Sequence, residues 1–339
     1  MTNQPTFSSA TTKFEQRHTL SGPSGFSVVD QAVMKYLPQG SKILECVSWK
    51  SSAWTNTFKV TARTEEDVER MYFMKTAQER GAIMMEGEYN SLTGINDAVP
   101  GLAPKPFGWG KFDESETHFI VMEFLDMEVA LPEPIQFCQA VAEMHIRSHS
   151  PTGKFGFHLP TCQGRHIQAN EWDTSWCRYF TELLTVFFDT DLSVNGPWKE
   201  YEDAFENLKT TAIPQLLEPL QSDGRVLKPC LVHGDLWEEN TGTRRDTGEL
   251  VIYDASVMYA HNEYELGMWR CEHTKLGASY IEQYLRHIPP SQPRDQFDDR
   301  VCLYSIKFYL AHSSGWPGLV DIRRKILDDM IYLNGRYGT

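Results

Sequence analysis

Asp235, Asn240 and Asp254 have the types and spacing of a phosphoryl-transfer centre, a carboxylate base followed by two oxygen ligands for a hard cation. The apolar run Cys230–Val232 reads as a strand that delivers Asp235 into a loop, and Asn240 follows five positions on. Beyond Asn240 the chain reads as a hairpin. Arg245-Asp246-Thr247-Gly248 is a turn signal, and Glu249–Tyr253 alternates in apolar character. Arms of near-equal length should return Asp254 beside Asn240. The resulting oxygen-rich cluster would suit Mg2+, which takes few protein ligands and completes its shell with water and phosphate. The plainer alternative is a polar hairpin with no chemistry.

Such chemistry also needs a cation for the phosphates. Met71–Thr76 is expected to be a strand with Lys75 near its end, followed by a helix over Ala82–Ile95 that carries Glu86 and Glu88. Residues two apart do not share a helix face. Glu88 lies on the inward row Met84, Leu92 and Ile95, so Lys75 is paired with Glu88 rather than Glu86. Ile43–Val47 and Thr57–Thr61 read as strands flanking the loop Ser48–Asn56, which contains no glycine and offers Ser48, Ser51, Ser52 and Asn56 to phosphate. His118–Leu125 reads as a buried strand leading to a hinge at about 121–127. There the Glu123 carbonyl and the Leu125 N–H could meet an adenine edge, with Met122 guarding the pocket. The set Asp235-x-x-x-x-Asn240 matches a kinase catalytic loop, with Gly234 where that pattern has Arg.

The elements that position these residues follow in order. A Ser/Thr-rich leader covers residues 1–22, and a helical period runs over Phe26–Leu37. Residues 23–126 read as a nucleotide-binding lobe and 127–339 as a catalytic and substrate lobe. Pro100–Pro106 reads as a loop, and Pro134 opens a helix with His145 at the edge of its apolar face. Thr161–Gly164 reads as irregular. Helices are expected at Glu171–Phe188, at Trp198–Leu220 with a break at Pro214, at Ala278–Ile288 and at Arg300–Ser313. The aromatic residues at helical spacing between 172 and 188 read as core.

A formal charge of −14 argues against a duplex nucleic-acid partner, which requires a basic face. Hydrophobic content of 41% makes the chain globular. Seven scattered cysteines with no C-x-x-C pair favour a reducing, cytoplasmic setting over a disulfide framework or zinc site. The N-terminus has no apolar core of a signal peptide, and the apolar run Leu183–Phe188 is too short to span a bilayer. A soluble monomer with no membrane partner is expected.

Several blocks together are similar to the fructosamine and ribulosamine 3-kinases (ketosamine 3-kinases), within the aminoglycoside phosphotransferase and protein-kinase-like superfamily. They are E-G-E-Y-N-S-L from Glu86, V-M-E-F-L-D-M from Val121, T-C-Q-G from Thr161 with N-E-W-D-T-S-W from Asn170, H-G-D-L-W-E-E-N from His233, and Y-A-H-N-E-Y-E-L from Tyr259. The resemblance runs from about residue 25 to about residue 335. It implies an α+β, bilobal protein-kinase-like fold, with a small antiparallel-sheet lobe and a larger helical one. It also implies ATP- and Mg2+-dependent phosphorylation of the 3-hydroxyl of a ketosamine, free or on a glycated protein lysine, in deglycation. Carried over by position, Asp235 is the base, Asn240 and Asp254 hold metal, and Lys75 with Glu88 positions the nucleotide. Trp237 could wall the sugar or simply pack the lobe, whereas His233, His261 and Glu265 look structural. Three departures stand out: the glycine-free loop, Glu239 where many members have Gly, and Asp254-Ala255-Ser256 for the commoner Asp-Pro-Ala. Competing readings are an aminoglycoside- or choline-type kinase of the same fold and an inactive binding protein. A protein Ser/Thr kinase is disfavoured by the lack of D-F-G and A-P-E signatures.

Overall fold

Strand-forming residues with period-two burial build the first part of the chain. The computed structural model describes residues 29–49, 53–168 and 170–338. The leader 1–22, the start of the helix expected from Phe26, and Ser51 and Ser52 of the phosphate-loop candidate lie outside the described residues. Helix α1 (Gln31–Met34) is capped by Asp30, whose Oδ1 accepts from Ala32 N at 2.8 Å. Strands β1 (Lys42–Ser48), β2 (Asn56–Arg63) and β3 (Glu69–Ala77) precede helix α2 (Gly81–Ala98); β4 (Pro106–Lys111) and β5 (His118–Glu123) follow it. All five strands form one antiparallel sheet in the order β1-β2-β3-β5-β4.

The strands expected at Ile43–Val47, Thr57–Thr61 and Met71–Thr76 are present and longer by two or three residues, whereas the one expected over His118–Leu125 ends at Glu123. Strand β4 was not anticipated, because Gly108 and Gly110 interrupt its apolar alternation. Gly108 is required by packing: a Cβ there would lie 1.9 Å from the Tyr36 ring, whose hydroxyl donates to Trp109 O at 2.7 Å. Pro106 opens this edge strand, where its missing N–H costs little.

The second, larger part is mainly helical. Strand β6 (Met127–Glu128) leads to α3 (Pro134–Arg147), capped by Glu133. The stretch expected to be irregular is a small hairpin, β7 (Thr161–Gln163) and β8 (His166–Gln168), turned by Gly164 and Arg165. Helix α4 (Trp176–Asn195) starts later than Glu171, because Asp173 binds Ser175 N and Ser175 caps the helix. Helices α5 (Lys199–Thr210) and α6 (Ala212–Leu217) break at Thr211. Pro214 instead sits in the first turn of α6, where proline is tolerated. Strand β9 (Cys230–Val232), the hairpin β10 (Thr241–Arg244) and β11 (Leu250–Ile252), and β12 (Met258–Ala260) carry the central stretch, with β12 pairing back onto β9. Helices α7 (Glu263–Trp269), α8 (Gly277–Leu285), α9 (Phe297–Gly315) and α10 (Val320–Tyr337) complete this half. The whole is the α+β, two-lobed arrangement that the sequence implies.

Helix α9 is buried on nearly all sides and still carries Arg300 and Lys307. Arg300 forks onto Glu263 at 2.7 and 3.0 Å and donates to Ser291 O and Pro293 O. Among the described residues no helix is long and apolar enough to cross a membrane. All seven cysteines are unpaired.

Breaking a fully buried ion pair leaves an uncompensated charge, which costs about 3–5 kcal/mol. Arg300→Met is expected to lower stability by about that much, read from urea unfolding, and adding Glu263→Leu should recover most of the loss. A single variant as stable as the parent would contradict the pair's structural role.

Candidate active site

The site begins with the loop after β9. Gly234 has φ +80, and a Cβ there would lie 2.4 Å from Ser256 O, so only glycine fits between the catalytic loop and the segment after Asp254. This explains why the arginine of the kinase pattern is absent. The loop is held from below by Glu265 of α7, which accepts from Gly234 N at 3.1 Å and from His233 N. His233 Nε2 donates to Tyr253 O at 3.0 Å, and its Nδ1 accepts from Asp235 N at 3.3 Å. That arrangement needs a neutral ring, and burial pushes the His233 imidazolium below its ordinary pKa. Burial alone would raise Glu265, yet the imidazoles of His145 and His233 and the His233 N–H hold it low. His145 is buried in the same layer, with Nδ1 2.7 Å from Tyr284 Oη.

The β10–β11 register pairs Thr241 with Ile252, and Tyr253 N donates to Asn240 O at 3.0 Å. Asp254 thus returns beside Asn240, in a left-handed conformation (φ 58) that non-glycine residues adopt rarely. Asn240 Nδ2 donates to Asp235 O at 2.8 Å and to Asp235 Oδ2 at 3.3 Å. This fixes the amide so that its oxygen is the end available to a cation. Among the described residues no three His, Cys, Asp or Glu side chains could hold a metal by themselves. The donor set is one carboxylate, Asp254, and one amide oxygen, Asn240. Two such oxygens are the kind of partial set that Mg2+ takes from protein, the rest of its shell coming from water and other ligands.

The sheet supplies the cation. Register pairs Lys75 with Ile120 of β5 and Thr57 of β2, next to α2. Lys75 Nζ donates to Glu88 Oε1 at 2.7 Å and also to Asp254 Oδ1. Burial would lower the Lys75 pKa, but the two carboxylates hold it above its ordinary value. Burial and the Asp254 charge raise Glu88, against the pull of Lys75. Lys75, Glu88, Asp235, Asn240 and Asp254 all line one cavity of about 490 Å³, with Trp237 on its wall. Glu239 is exposed, and its backbone oxygen accepts from the Tyr253 hydroxyl at 2.8 Å. Together with Lys75, Glu88 and Asp254, it also lines a second cavity of about 470 Å³, where Met122, Glu123 and Leu125 sit. The Glu123 N–H is taken by Lys105 O at 2.8 Å, and its carboxylate meets the Arg244 fork. His261 lies apart from both cavities' chemistry, with Nδ1 2.9 Å from Tyr304 Oη and Nε2 2.9 Å from Ser291 Oγ.

Two residues to which the sequence assigned no role reach the centre. Gln163 of β7 donates from Nε2 to Asp235 Oδ1 at 2.7 Å. Lys307 of α9 donates to Gln163 Oε1 at 2.5 Å. Burial raises the Asp235 carboxyl and lowers the Lys307 ammonium from their ordinary values. Gln163 stands in the T-C-Q-G block, the one signal that could have flagged it.

The sequence profile described as fructosamine kinase matches residues 41–331. A chloroplastic protein-ribulosamine 3-kinase of Oryza sativa subsp. indica is 31% identical over 77% of this chain and 72% of its own. A ketosamine-3-kinase of Mus musculus is 26% identical over 75% of this chain and 86% of its own. The crystal structure of a putative fructosamine-3-kinase from Thermobifida fusca superposes with a TM-score of 0.67 at 16% identity, covering 90% of this chain and 99% of that one.

Glutamine at 265 can offer only one oxygen to two buried N–H groups, so Glu265→Gln is expected to cost about 1–3 kcal/mol. Because the folded-state pKa of Glu265 is depressed, its contribution is present above the unfolded value of about 4.3 and is lost as pH falls through the folded value. The stability gap between parent and variant should therefore narrow from pH 7 to pH 3, measured by urea titration. A gap unchanged across that range would contradict this role.

Proposed function

The chain belongs to the fructosamine kinase family, and on that footing we propose that it transfers the γ-phosphoryl group of ATP to the 3-hydroxyl of a ketosamine, of ribulosamine or fructosamine type, on a lysine. One observation carries the reading. Lys75 of the sheet half and Asp254 of the helical half meet at the common wall of two cavities, with Asp235 facing only the first. The nucleotide is assigned to the second cavity, its adenine edge against the backbone at Glu123 and Leu125. The acceptor is assigned to the first, with Trp237 as an apolar wall for the sugar. The γ-phosphate then lies at the shared wall.

In this assignment Asp235 accepts the proton of the attacking hydroxyl, and Lys75, oriented by Glu88, neutralises phosphate charge. Asp254 and Asn240 would hold Mg2+, which would supply positive charge against the phosphates when bound. His233, Gly234 and Glu265 keep the Asp235 loop rigid. Positioning and charge stabilisation are most of what phosphoryl transfer asks of a protein. The acceptor cavity also presents His166 and His273, both pushed down to about 4 by burial and hence neutral near pH 7. Aromatic walls at Trp54, Trp237 and Trp316, with two uncharged imidazoles beside the acidic centre, suit a small polyol adduct. Phosphorylation would leave the adduct unstable and free the amine, which makes the activity a repair of glycated protein. Seven unpaired cysteines suit a reducing compartment, and we assign a cytoplasmic monomer with no nucleic-acid or membrane partner.

The purified protein, incubated with ATP and Mg2+, should release ADP with ribulosyl-lysine or fructosyl-lysine and not with an aminoglycoside or choline. Turnover confined to the latter acceptors would overturn the substrate assignment; no turnover with any acceptor would favour a binding protein. Asp235→Asn should lower kcat by about 100-fold or more, the usual weight of a general base, while ATP binding measured by calorimetry persists. A near-normal rate in that variant would show the base to be misassigned.

A further inference from the structure

Lys307 is fully buried, yet among the described residues no carboxylate pairs with its ammonium. It lies over three aromatic rings, those of Phe187, Phe308 and Tyr264, with Nζ 4.4, 4.8 and 5.6 Å from their centroids. Among the described residues its hydrogen-bond acceptor is Gln163 Oε1. A buried cation that only packed the core could be replaced by an apolar residue at no cost in desolvation. The use of this one lies in the chemistry of its partner. A protonated lysine can donate and never accept, so it holds the oxygen end of the Gln163 amide against itself. The nitrogen end must then point the other way, and there it donates to Asp235 Oδ1 at 2.7 Å. The second oxygen, Oδ2, receives only the longer 3.3 Å contact from Asn240.

Resting on the assignment of Asp235 as the base, we propose that Lys307 is a positioning residue for phosphoryl transfer, acting through Gln163 to pin Asp235 Oδ1 and present Oδ2 to the acceptor hydroxyl. The relay connects helix α9, hairpin β7–β8 and the catalytic loop, three segments distant in the chain. Lys307 itself lines neither the acceptor nor the nucleotide cavity. Gln163 lines the acceptor cavity, so its amide also fixes the wall against which the sugar would sit.

The test is a cycle of Lys307→Met, Gln163→Leu and the double variant, with Gln163→Glu beside it. Lys307→Met should lower kcat by tens-fold, up to about 100-fold, the cost of misplacing a reacting group by about 1 Å. KM for ATP should not change. Because both residues act through one contact, the double variant should lose no more than the worse single variant. Gln163→Glu keeps a partner for Lys307 and so should keep the melting temperature, but it cannot donate to Asp235 and should lose kcat as Lys307→Met does. It keeps the question decidable if Lys307→Met fails to fold. Losses that multiply in the double variant, or a near-normal kcat in Lys307→Met or Gln163→Glu, would overturn the relay. The cycle is read on whichever acceptor the parent turns over, so a wrong substrate does not decide it. A fully active Asp235→Asn would instead remove the base, and with it the reading on which the relay rests.

Discussion

The structure depends most on one buried ammonium, that of Lys75, held between Glu88 and Asp254. Glu88 belongs to the helix that covers the sheet, and Asp254 ends the hairpin of the helical half. A single cation therefore fixes α2 against β3 and the metal-ligand candidate against both. Removing Lys75 would leave the Glu88 carboxylate, only 12% exposed, without its cation, a costly situation in a protein interior. The same cluster gives the shared wall of the two cavities its charge pattern. Positive charge faces the place assigned to the phosphates, and carboxylate oxygen faces the place assigned to the cation.

A second constraint is geometric. The catalytic loop can pass under the segment after Asp254 only because residue 234 has no side chain, and it stays there because Glu265 takes the N–H groups of His233 and Gly234. Behind Glu265 the layer continues through Glu263 and Arg300. Trp176, Tyr304 and His261 extend it by hydrogen bonds of 2.8 and 2.9 Å. The blocks N-E-W-D-T-S-W and H-N-E-Y-E-L, far apart in the chain, meet in this layer. They are a foundation for the loop and make no contact with the nucleotide cavity.

What the sequence made legible follows from how local each signal is. Asp235, Asn240 and Asp254 lie within one hairpin, so spacing alone placed them together. Lys75 and Glu88 needed only a strand and the helix after it. Strand β4 was hidden because packing against Tyr36 demands glycine where alternation would show an apolar residue. Helix α9 has no polar face to reveal which of its charges point inward, so nothing in the sequence singles out Lys307 or Arg300. Lys307 meets Gln163 across 144 residues and Gln163 meets Asp235 across 72, and no pattern in one sequence encodes such a meeting.

Two of the three departures from the commoner family pattern are absorbed by the structure. Asp254-Ala255-Ser256 still turns correctly, because Ser256 N bonds His233 O at 2.9 Å and Ser256 O accepts from Gln168 at 3.1 Å. Glu239 stands exposed where the two cavities join, with only its backbone engaged by Tyr253. The central claim is that this centre delivers phosphate to one hydroxyl of a ketosamine. Phosphorus–proton correlation NMR of the product formed from ribulosyl-lysine, ATP and Mg2+ tests it most directly. The account predicts a phosphorus nucleus coupled to the proton on C3 of the sugar. Phosphate on another carbon, or on the protein itself, would contradict it.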